Sequence, residues 1–355
     1  MEAQTKQDLL TMTAEELSEF MAGLGEKKFR ARQVYEWIHV KQVSDFSEMT
    51  NLSKELRQKL TQCCFITRLR PVRELVSKLD GTRKYLFALE DGHVIESVLM
   101  RYSYGNSVCI SSQVGCRMAC SFCASGIGGR IRNLTASEML AQVREIAAIT
   151  KERVSHVVIM GTGEPLDNYD SLVRFLRIIG DEQGERLSLR NITVSTCGIV
   201  PRIYDLANEG LPVTLALSLH ASNQKKREAL MPVAKTYDLK DVLDAMQYYF
   251  DKTGRRITFE YSCVDQVNTF DEDADELAEL VRGMNCHVNL IPVNPVEETG
   301  YQQPKRQRIA AFAARLEKSG IHVTIRREMG RDIQGACGQL RRSYDESRQG
   351  TPAAF

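Results

Sequence analysis

Along the first seventy or so residues the apolar positions recur at helical spacing. In TAEELSEFMAGLG they fall three and four apart, Thr13 stands where an N-cap belongs, and Gly23 or Gly25 supplies the stop. FRARQVYEWIHV and LSKELRQKLTQCC continue the period, so a small all-helical unit is predicted for residues 1–75. The period then shortens to two. TRKYLFALEDGHVIESVLMRY carries Asp91-Gly92 between two apolar runs, a hairpin signal inside a β linker placed at 76–104.

Beyond residue 105 the rhythm is strand, loop, helix. The strands predicted are SVCISS (107–112), SHVVIMG (155–161), NITVST (191–196), VTLALSL (213–219), RITFEYS (256–262) and HVNLIP (287–292), with HVTIRR (322–327) as an extra one. In the first intervening helix, ASEMLAQVREIAAI, Thr135 and Glu138 form a capping box. Near-continuous apolar strands alternating with helices predict an α/β fold with a parallel sheet under helices. Six units are too few for a closed eight-fold barrel, so residues 105–345 are read as a partial (β/α)6 barrel. The stretch 346–355, ending QGTPAAF, reads as a disordered tail.

Composition narrows the class. The chain has 355 residues, a formal net charge of +1, 43% hydrophobic and 26% charged residues, ordinary for a globular protein. No run of 18 apolar residues predicts a membrane span, and MEAQTKQDLLTMTAEEL has no signal-peptide pattern, so a cytoplasmic location is expected. Basic residues cluster only locally, at Lys27, Lys28, Arg30 and Arg32, at Lys225, Lys226 and Arg227, at Arg326, Arg327 and Arg331, and at Arg341 and Arg342. Such runs are more often solvated helix faces than nucleic-acid contacts. Ten cysteines is a high count for a reducing compartment and favours metal binding or catalysis over disulfides. Scattered Cys63, Cys64, Cys197, Cys263 and Cys286 read as small buried apolar residues, and Trp37 as core.

The chemistry concentrates in GCRMACSFCASG, where Cys116, Cys120 and Cys123 follow the first strand with spacing C-x3-C-x2-C. Thiolates suit iron–sulfur clusters. A four-iron cluster usually takes one cysteine per iron, so three leave one iron open, and an open position is where chemistry is done. Two other readings stand beside it: zinc completed by His93, His156, His220 or Cys109, and three packed thiols. Polar residues recur where later strands meet their loops: Gly163 and Glu164 in GTGEP, Ser195, Ser218-Leu219-His220, and Asn294. Singly each is a turn residue; together they line the catalytic face of such folds. Cys109 within the first strand and Cys337 in DIQGACGQL read physically as buried thiols.

C-x3-C-x2-C after the first strand of an α/β repeat resembles the radical S-adenosylmethionine (SAM) superfamily. FCASGIGG, RNLT, MGTGEPL, SLHA, NLIPVNP and ACGQL, with the helical N-terminal unit and the β linker, extend the resemblance over nearly the whole chain, to the RlmN-type dual-specificity RNA methyltransferases. The resemblance implies a [4Fe-4S] cluster on Cys116, Cys120 and Cys123. It also implies SAM contacts from Gly163, Glu164, Ser195, Ser218, Leu219, His220 and Asn294. It implies methylation of adenosine carbon 2 in 23S ribosomal RNA, and of adenosine in transfer RNA, with two SAM molecules per turnover. Cys337 then carries the methyl group, Glu96 accepts the carbon-2 proton, and Cys109 resolves the adduct through a disulfide with Cys337. From the alternation alone Glu96 would be an exposed strand residue. A monomer is expected, receiving electrons from flavodoxin or ferredoxin, with the helical unit gripping RNA. The alternative is the Cfr type, which shares these cysteines, methylates carbon 8 and confers antibiotic resistance. Pro165 after GE and LALSLHAS look more like the carbon-2 enzymes, while ASNQ departs from their usual APN. From another class, a non-catalytic zinc-dependent RNA-binding module remains a rival.

Overall fold

The computed structural model describes residues 6–294 and 299–333. Three helices, α1 (Ala14–Gly23), α2 (Lys28–His39) and α3 (Lys54–Cys63), build the N-terminal unit. Thr13 and Glu16 cap α1 reciprocally, and Gly25 takes the left-handed conformation after its end, at φ +80°. The unit is not purely helical. Gln7–Asp8 pairs in parallel with Cys64–Phe65 and ties its two ends together. Strands of two residues are too short to leave an alternation in the sequence. Cys64 is buried as expected, while its neighbour Cys63 is half-exposed. Trp37 packs partly against the core and donates from Nε1 to Asn51 Oδ1 at 2.6 Å.

A ten-stranded sheet forms the body of the molecule. In chain order its strands are β1 (Arg70–Val76), β2 (Arg83–Ala88), β3 (Val94–Tyr102), β4 (Gly105–Cys109), β5 (Val154–Ile159), β6 (Ile192–Thr196), β7 (Thr214–Ser218), β8 (Ile257–Cys263), β9 (Cys286–Pro292) and β10 (Val323–Ile325). Their order in space follows the sequence from one edge to the other. The predicted hairpin around Asp91-Gly92 joins β2 to β3, with Gly92 at φ +84°. It is not a detached linker: β1 to β4 run antiparallel and continue directly into the parallel strands β4 to β10. β1 carried no clear period because both its faces are largely exposed. All seven parallel strands anticipated from the sequence are present.

Sequential order combined with right-handed crossovers places the connecting helices on one side of the sheet. These are α4 (Ala136–Thr150), α5 (Tyr169–Ile179), α6 (Val200–Asn208), α7 (Gln224–Leu230), α8 (Leu239–Thr253), α9 (Asp271–Leu280) and α10 (Arg306–Lys318). Val157, Ile159, Ile192, Val194, Leu215, Leu217, Ile257, Phe259, Val288 and Leu290 all enter the core beneath them. The other face alternates into His156, Thr193, Ser195, Ser218, Glu260 and Asn289. The strands are therefore half polar, not continuously apolar as the short runs suggested. Side chains fill the interior of a complete barrel with branched apolar residues; this partial barrel keeps a polar concave face.

The N-terminal unit is fastened to the outer layer. Arg144 on α4 bonds Glu185 from Nε at 2.6 Å and reaches His39 Nδ1 at 3.2 Å; Tyr35 donates to Asp181, and Arg174 on α5 donates to the Thr11 carbonyl at 3.1 Å. Burial, then the Arg144 charge, hold His39 well below its usual pKa, so its neutral ring accepts from the guanidinium. α4 is consequently buried on nearly every side. Replacing Arg144→Ala leaves Glu185 without its near-buried partner. It is expected to cost about 3 kcal/mol of stability in denaturant unfolding; a loss below about 0.5 kcal/mol, the size of an exposed pair, would show that this pair does not tie α4 to the loop after α5.

Candidate active site

The cysteine loop leaves the carboxyl end of the sheet. Its arms, Gln113–Gly115 and Arg130–Asn133, pair antiparallel and close its base. Gly115 is required there: at φ +76°, a Cβ would lie 2.1 Å from the Gly129 carbonyl oxygen. Between the arms Cys116, Cys120 and Cys123 are half-buried free thiols. Burial pushes Cys116 up to about 12, and it also raises Cys120, which feels the charges of Cys123 and Cys116. Among the described residues no three His, Cys, Asp or Glu side chains are arranged to hold one metal ion. The partners considered for a zinc site are engaged elsewhere. His93 lies 3.3 Å from Asp91, His156 bonds Ser155 Oγ at 2.9 Å, and His220 Nδ1 accepts the Ser262 N–H at 2.9 Å. With these histidines engaged elsewhere, the three free thiols of one loop suit a cluster that takes only cysteine ligands.

The turn after β5 packs on this loop. Thr162 offers its carbonyl to the Ser112 and Gln113 N–H groups at 2.9 and 3.1 Å. Gly163 has φ +113°, and a Cβ would meet Gln113 N and Ser112 Oγ at 2.7 Å. Its missing side chain thus admits the chain's own backbone. Glu164 is buried, and its carboxylate accepts from Leu166 N–H at 3.1 Å and Cys197 N–H at 2.8 Å. Burial nevertheless raises its pKa, these bonds opposing.

Register gathers the other groups. β2 pairs Lys84 with Val98 on β3, and Val98 pairs with Cys109 on β4. Opposed residues share a face, and Glu96 stands two positions from Val98, so Lys84, Glu96 and Cys109 project together on the concave side. Lys84 Nζ lies 3.4 Å from Glu96 Oε2, and exposure of the residues is 0% and 4%. The sequence reading of Glu96 as exposed fails here because the hairpin is part of the main sheet and β3 is buried on both faces along most of its length. Ser111 Oγ holds the Glu96 carbonyl at 2.8 Å, and Gln142 Oε1 accepts from Ser111 N–H and Ser97 Oγ, each at 2.8 Å. Cys109 is buried; burial raises its thiol, opposed by Arg326 and by the Met160 N–H.

Across the concave face Ser195 and Ser218 approach to 3.5 Å between hydroxyl oxygens. Glu260 accepts from Asn289 Nδ2 at 2.9 Å; burial raises it, Arg326 opposing. Leu219 is core, and its N–H donates to the Glu260 carbonyl at 3.0 Å. His220 is buried at φ +58°; burial, with Arg227 adding, pushes it down to about 3. Asn294 lies exposed beyond β9. Sequence reasoning missed Lys84, Ser111, Gln142, Glu260 and Asn289. Alternation from Ser195 and Ser218 across the parallel register leads to Glu260 and Asn289; nothing local pointed to the rest.

Cys337 lies outside the described residues. The chain leading to it is held beside β2. Asp80 accepts from Gly330 N–H at 2.9 Å, and Asp332 accepts from Ser77 Oγ at 2.6 Å and Lys78 N–H at 2.8 Å. Cys337 follows Ile333 by four residues, a reach of at most about 14 Å.

Two variants probe the site. Lys84→Met removes the ammonium that faces the buried Glu96 carboxylate and is expected to cost about 3 kcal/mol in urea unfolding. The double variant Lys84→Met/Glu96→Gln should recover most of it; strict additivity would dissolve the pair. For His220, the folded state excludes a proton that the unfolded chain binds below pH 6.5, so stability falls as pH drops from 6.5 toward about 3. His220→Gln should lack roughly 2 kcal/mol of the loss between pH 7 and 4.5; unfolding midpoints that track wild type at both pH values refute the assignment.

Comparison with known proteins places these features. Residues 7–66 match the ribosomal RNA large subunit methyltransferase N-terminal domain, and residues 110–292 match the radical SAM superfamily. Two similar relatives are named probable dual-specificity RNA methyltransferase RlmN. That of Lachnospira eligens is 57% identical, covering 96% of this chain and 97% of its own; that of Lachnoclostridium phytofermentans is 58% identical, covering 96% of both. A radical SAM methyltransferase crystal structure from Sphaerobacter thermophilus superposes with a TM-score of 0.89 at 44% identity, over 94% of this chain and 98% of that one. Membership of the superfamily implies a [4Fe-4S] cluster and SAM. Three free thiols on a closed loop, set at the carboxyl end of a partial barrel, suit that pair, and the chain belongs to the RlmN family of dual-specificity RNA methyltransferases within the radical SAM superfamily.

Proposed function

We propose that the chain methylates carbon 2 of adenosine in 23S ribosomal RNA, and of adenosine in transfer RNA, using two SAM molecules per turnover. The observation that carries this reading is the buried Lys84–Glu96 pair sharing one face with Cys109, beside the loop of Cys116, Cys120 and Cys123. A cluster on those three cysteines, with SAM bound, supplies a one-electron cleavage that activates an S-methyl group. The remaining work belongs to side chains of this chain. Carbon 2 of adenine offers no lone pair, so the one-carbon unit travels on the sulfur of Cys337. Glu96, buried with the Lys84 ammonium as counter-charge, takes the carbon-2 proton. The Cys109 sulfur, as thiolate, then attacks the Cys337 sulfur, forming a disulfide and breaking the bond from that sulfur to the base's methylene carbon; the carbon takes up a proton to become the methyl group, and the odd electron introduced by SAM cleavage is released. External thiols reduce that disulfide. Ser195, Ser218, His220 and the Gly163-Glu164 turn form the wall against which SAM would lie; Asn294 and the core residue Leu219 would act through their place in the loops.

The N-terminal unit supports an RNA substrate. Lys27, Lys28 and Arg32 are exposed, and the Arg30 guanidinium lies 4.9 Å over the exposed Phe29 ring. These cations crowd the start of α2, which has no acidic residue in its first turn. Placing them against the helix dipole costs stability locally and suits a phosphate ligand. The target base must leave its stack to reach the concave face. A flavodoxin or ferredoxin donor, a monomeric state and a cytoplasmic location belong to the same proposal. Among the described residues no helix is long and apolar enough to cross a membrane.

The relatives favour carbon 2 over the Cfr-type alternative. The test is anaerobically reconstituted protein with SAM, a reductant and unmodified 23S RNA fragment, beside a Cys337→Ala variant. Nucleoside mass spectrometry should give 2-methyladenosine only with Cys337 present. 8-Methyladenosine would overturn the regiochemistry, and 2-methyladenosine from the variant would overturn the carrier.

A further inference from the structure

Arg227 is the largest fully buried side chain among the described residues, with 0% relative exposure. In sequence it closes the run Lys225-Lys226-Arg227 and looks like part of a solvated basic face. The structure separates the three. Lys225 stays on the surface side, Lys226 pairs with Asp273 at 2.5 Å, and Arg227 turns inward from α7. Its Nη2 donates to the Cys197 carbonyl at 2.6 Å and to the Ser218 carbonyl at 3.4 Å. Its Nε and Nη1 have no hydrogen-bond partner among the described residues. No carboxylate there pairs with it; the nearby Glu164 carboxylate accepts from backbone N–H groups instead. A guanidinium cannot shed its proton in a protein, so a buried one demands an anion.

The neighbouring groups identify that anion. Besides the carbonyls, the groups whose charges bear on Arg227 are the thiols of Cys197 and Cys120. Cys120, Met118 and Phe122 of the cysteine loop pack against the apolar cluster of Cys197, Ala221, Leu230 and Met231 at the two ends of α7, and Ser121 N–H bonds the Leu230 carbonyl at 2.9 Å. α7 thus presses directly against the loop. An RNA phosphate cannot reach a side chain with no exposure.

We infer that Arg227 is the built-in counter-charge of the anionic centre assembled on Cys116, Cys120 and Cys123, a positioning residue that sets that centre's reduction potential. This rests on the cluster reading above. Three ligating thiolates bring negative charge into a poorly solvated space, and reduction adds one more. A fixed cation beside Cys120 is attracted more strongly to the reduced state and raises its potential. The two carbonyl bonds hold the guanidinium in place through both redox states.

The test compares Arg227→Gln, which keeps an N–H donor without charge, with Arg227→Lys, which keeps the charge. Iron and sulfide analysis of reconstituted wild type comes first; wild type that loads no cluster sinks the cluster reading itself. With loading established, potentials are read by redox titration followed by electron paramagnetic resonance. Arg227→Gln is expected to disfavour reduction at least tenfold, about 59 mV for a one-electron couple, and Arg227→Lys less than threefold. A wild-type potential in Arg227→Gln, or an equal fall in both variants, overturns the assignment. So does a cluster-free Arg227→Gln protein that is unfolded by circular dichroism, because the arginine would then be scaffold.

Discussion

A charge taken out of water must meet an opposite charge, and the interior of this partial barrel is organised by that requirement. Lys84 and Glu96 satisfy it within the described chain, at 3.4 Å and nearly without exposure. Glu260 is half satisfied, by Asn289 and the charge of Arg326. Among the described residues Arg227 bonds two carbonyls and pairs with no carboxylate. An ordinary core would replace all of these with apolar side chains at no loss of stability. Lys84, Glu96 and Glu260 project from the sheet face turned away from the helices, so that face carries buried charge an ordinary core would not hold.

The sheet's register converts this requirement into a site. Because side chains alternate strictly along a strand, one apolar face for the helices leaves every second residue for the concave side. The pairing Lys84–Val98–Cys109 then puts an ammonium, a carboxylate and a thiol from three different strands on the same side. A one-residue slip of β3 against β4 would turn Glu96 into the helical layer. Gln142 and Ser111 guard against such a slip: one buried amide ties α4 to the ends of β3 and β4, and one hydroxyl holds the Glu96 carbonyl. The geometry of that face thus depends on a helix whose Arg144 also reaches His39 of the N-terminal unit, at 3.2 Å.

What the sequence disclosed follows the range of each interaction. Caps at Thr13 and Thr135, the turn at Asp91-Gly92 and all the parallel strands are set by neighbours a few residues apart, and each was legible. The cysteine loop was legible because its three thiols are themselves local. Burial of Glu96 was not, since it depends on β2 and β3 joining the main sheet, where the sequence reading placed a separate β linker. The edge strand β1 was missed because an exposed strand has no dry face to impose a period. Arg227 misled for the opposite reason: a run of three basic residues reads as surface, and only the turn of α7 sends the third inward. Gly163 was legible as a special glycine, but the group it accommodates proved to be the loop of Gln113.

The openness of the sheet bears on what can enter it. A closed eight-stranded barrel is filled with side chains and presents only its rim loops. Among the described residues the order β1 to β10 runs from edge to edge without closing. The edges are blunted: β10 is three residues long and β1 exposes Arg70, Arg73 and Glu74, so neither invites another strand. An unclosed, charge-lined concavity admits an object from the side, and a base swung out of an RNA stack is such an object. The clamp of Asp80 and Asp332 brings the segment before Cys337 to the antiparallel end of this concavity, while the cysteine loop stands at its carboxyl rim. Between them the Lys84–Glu96 pair and the Cys109 thiol lie on one wall.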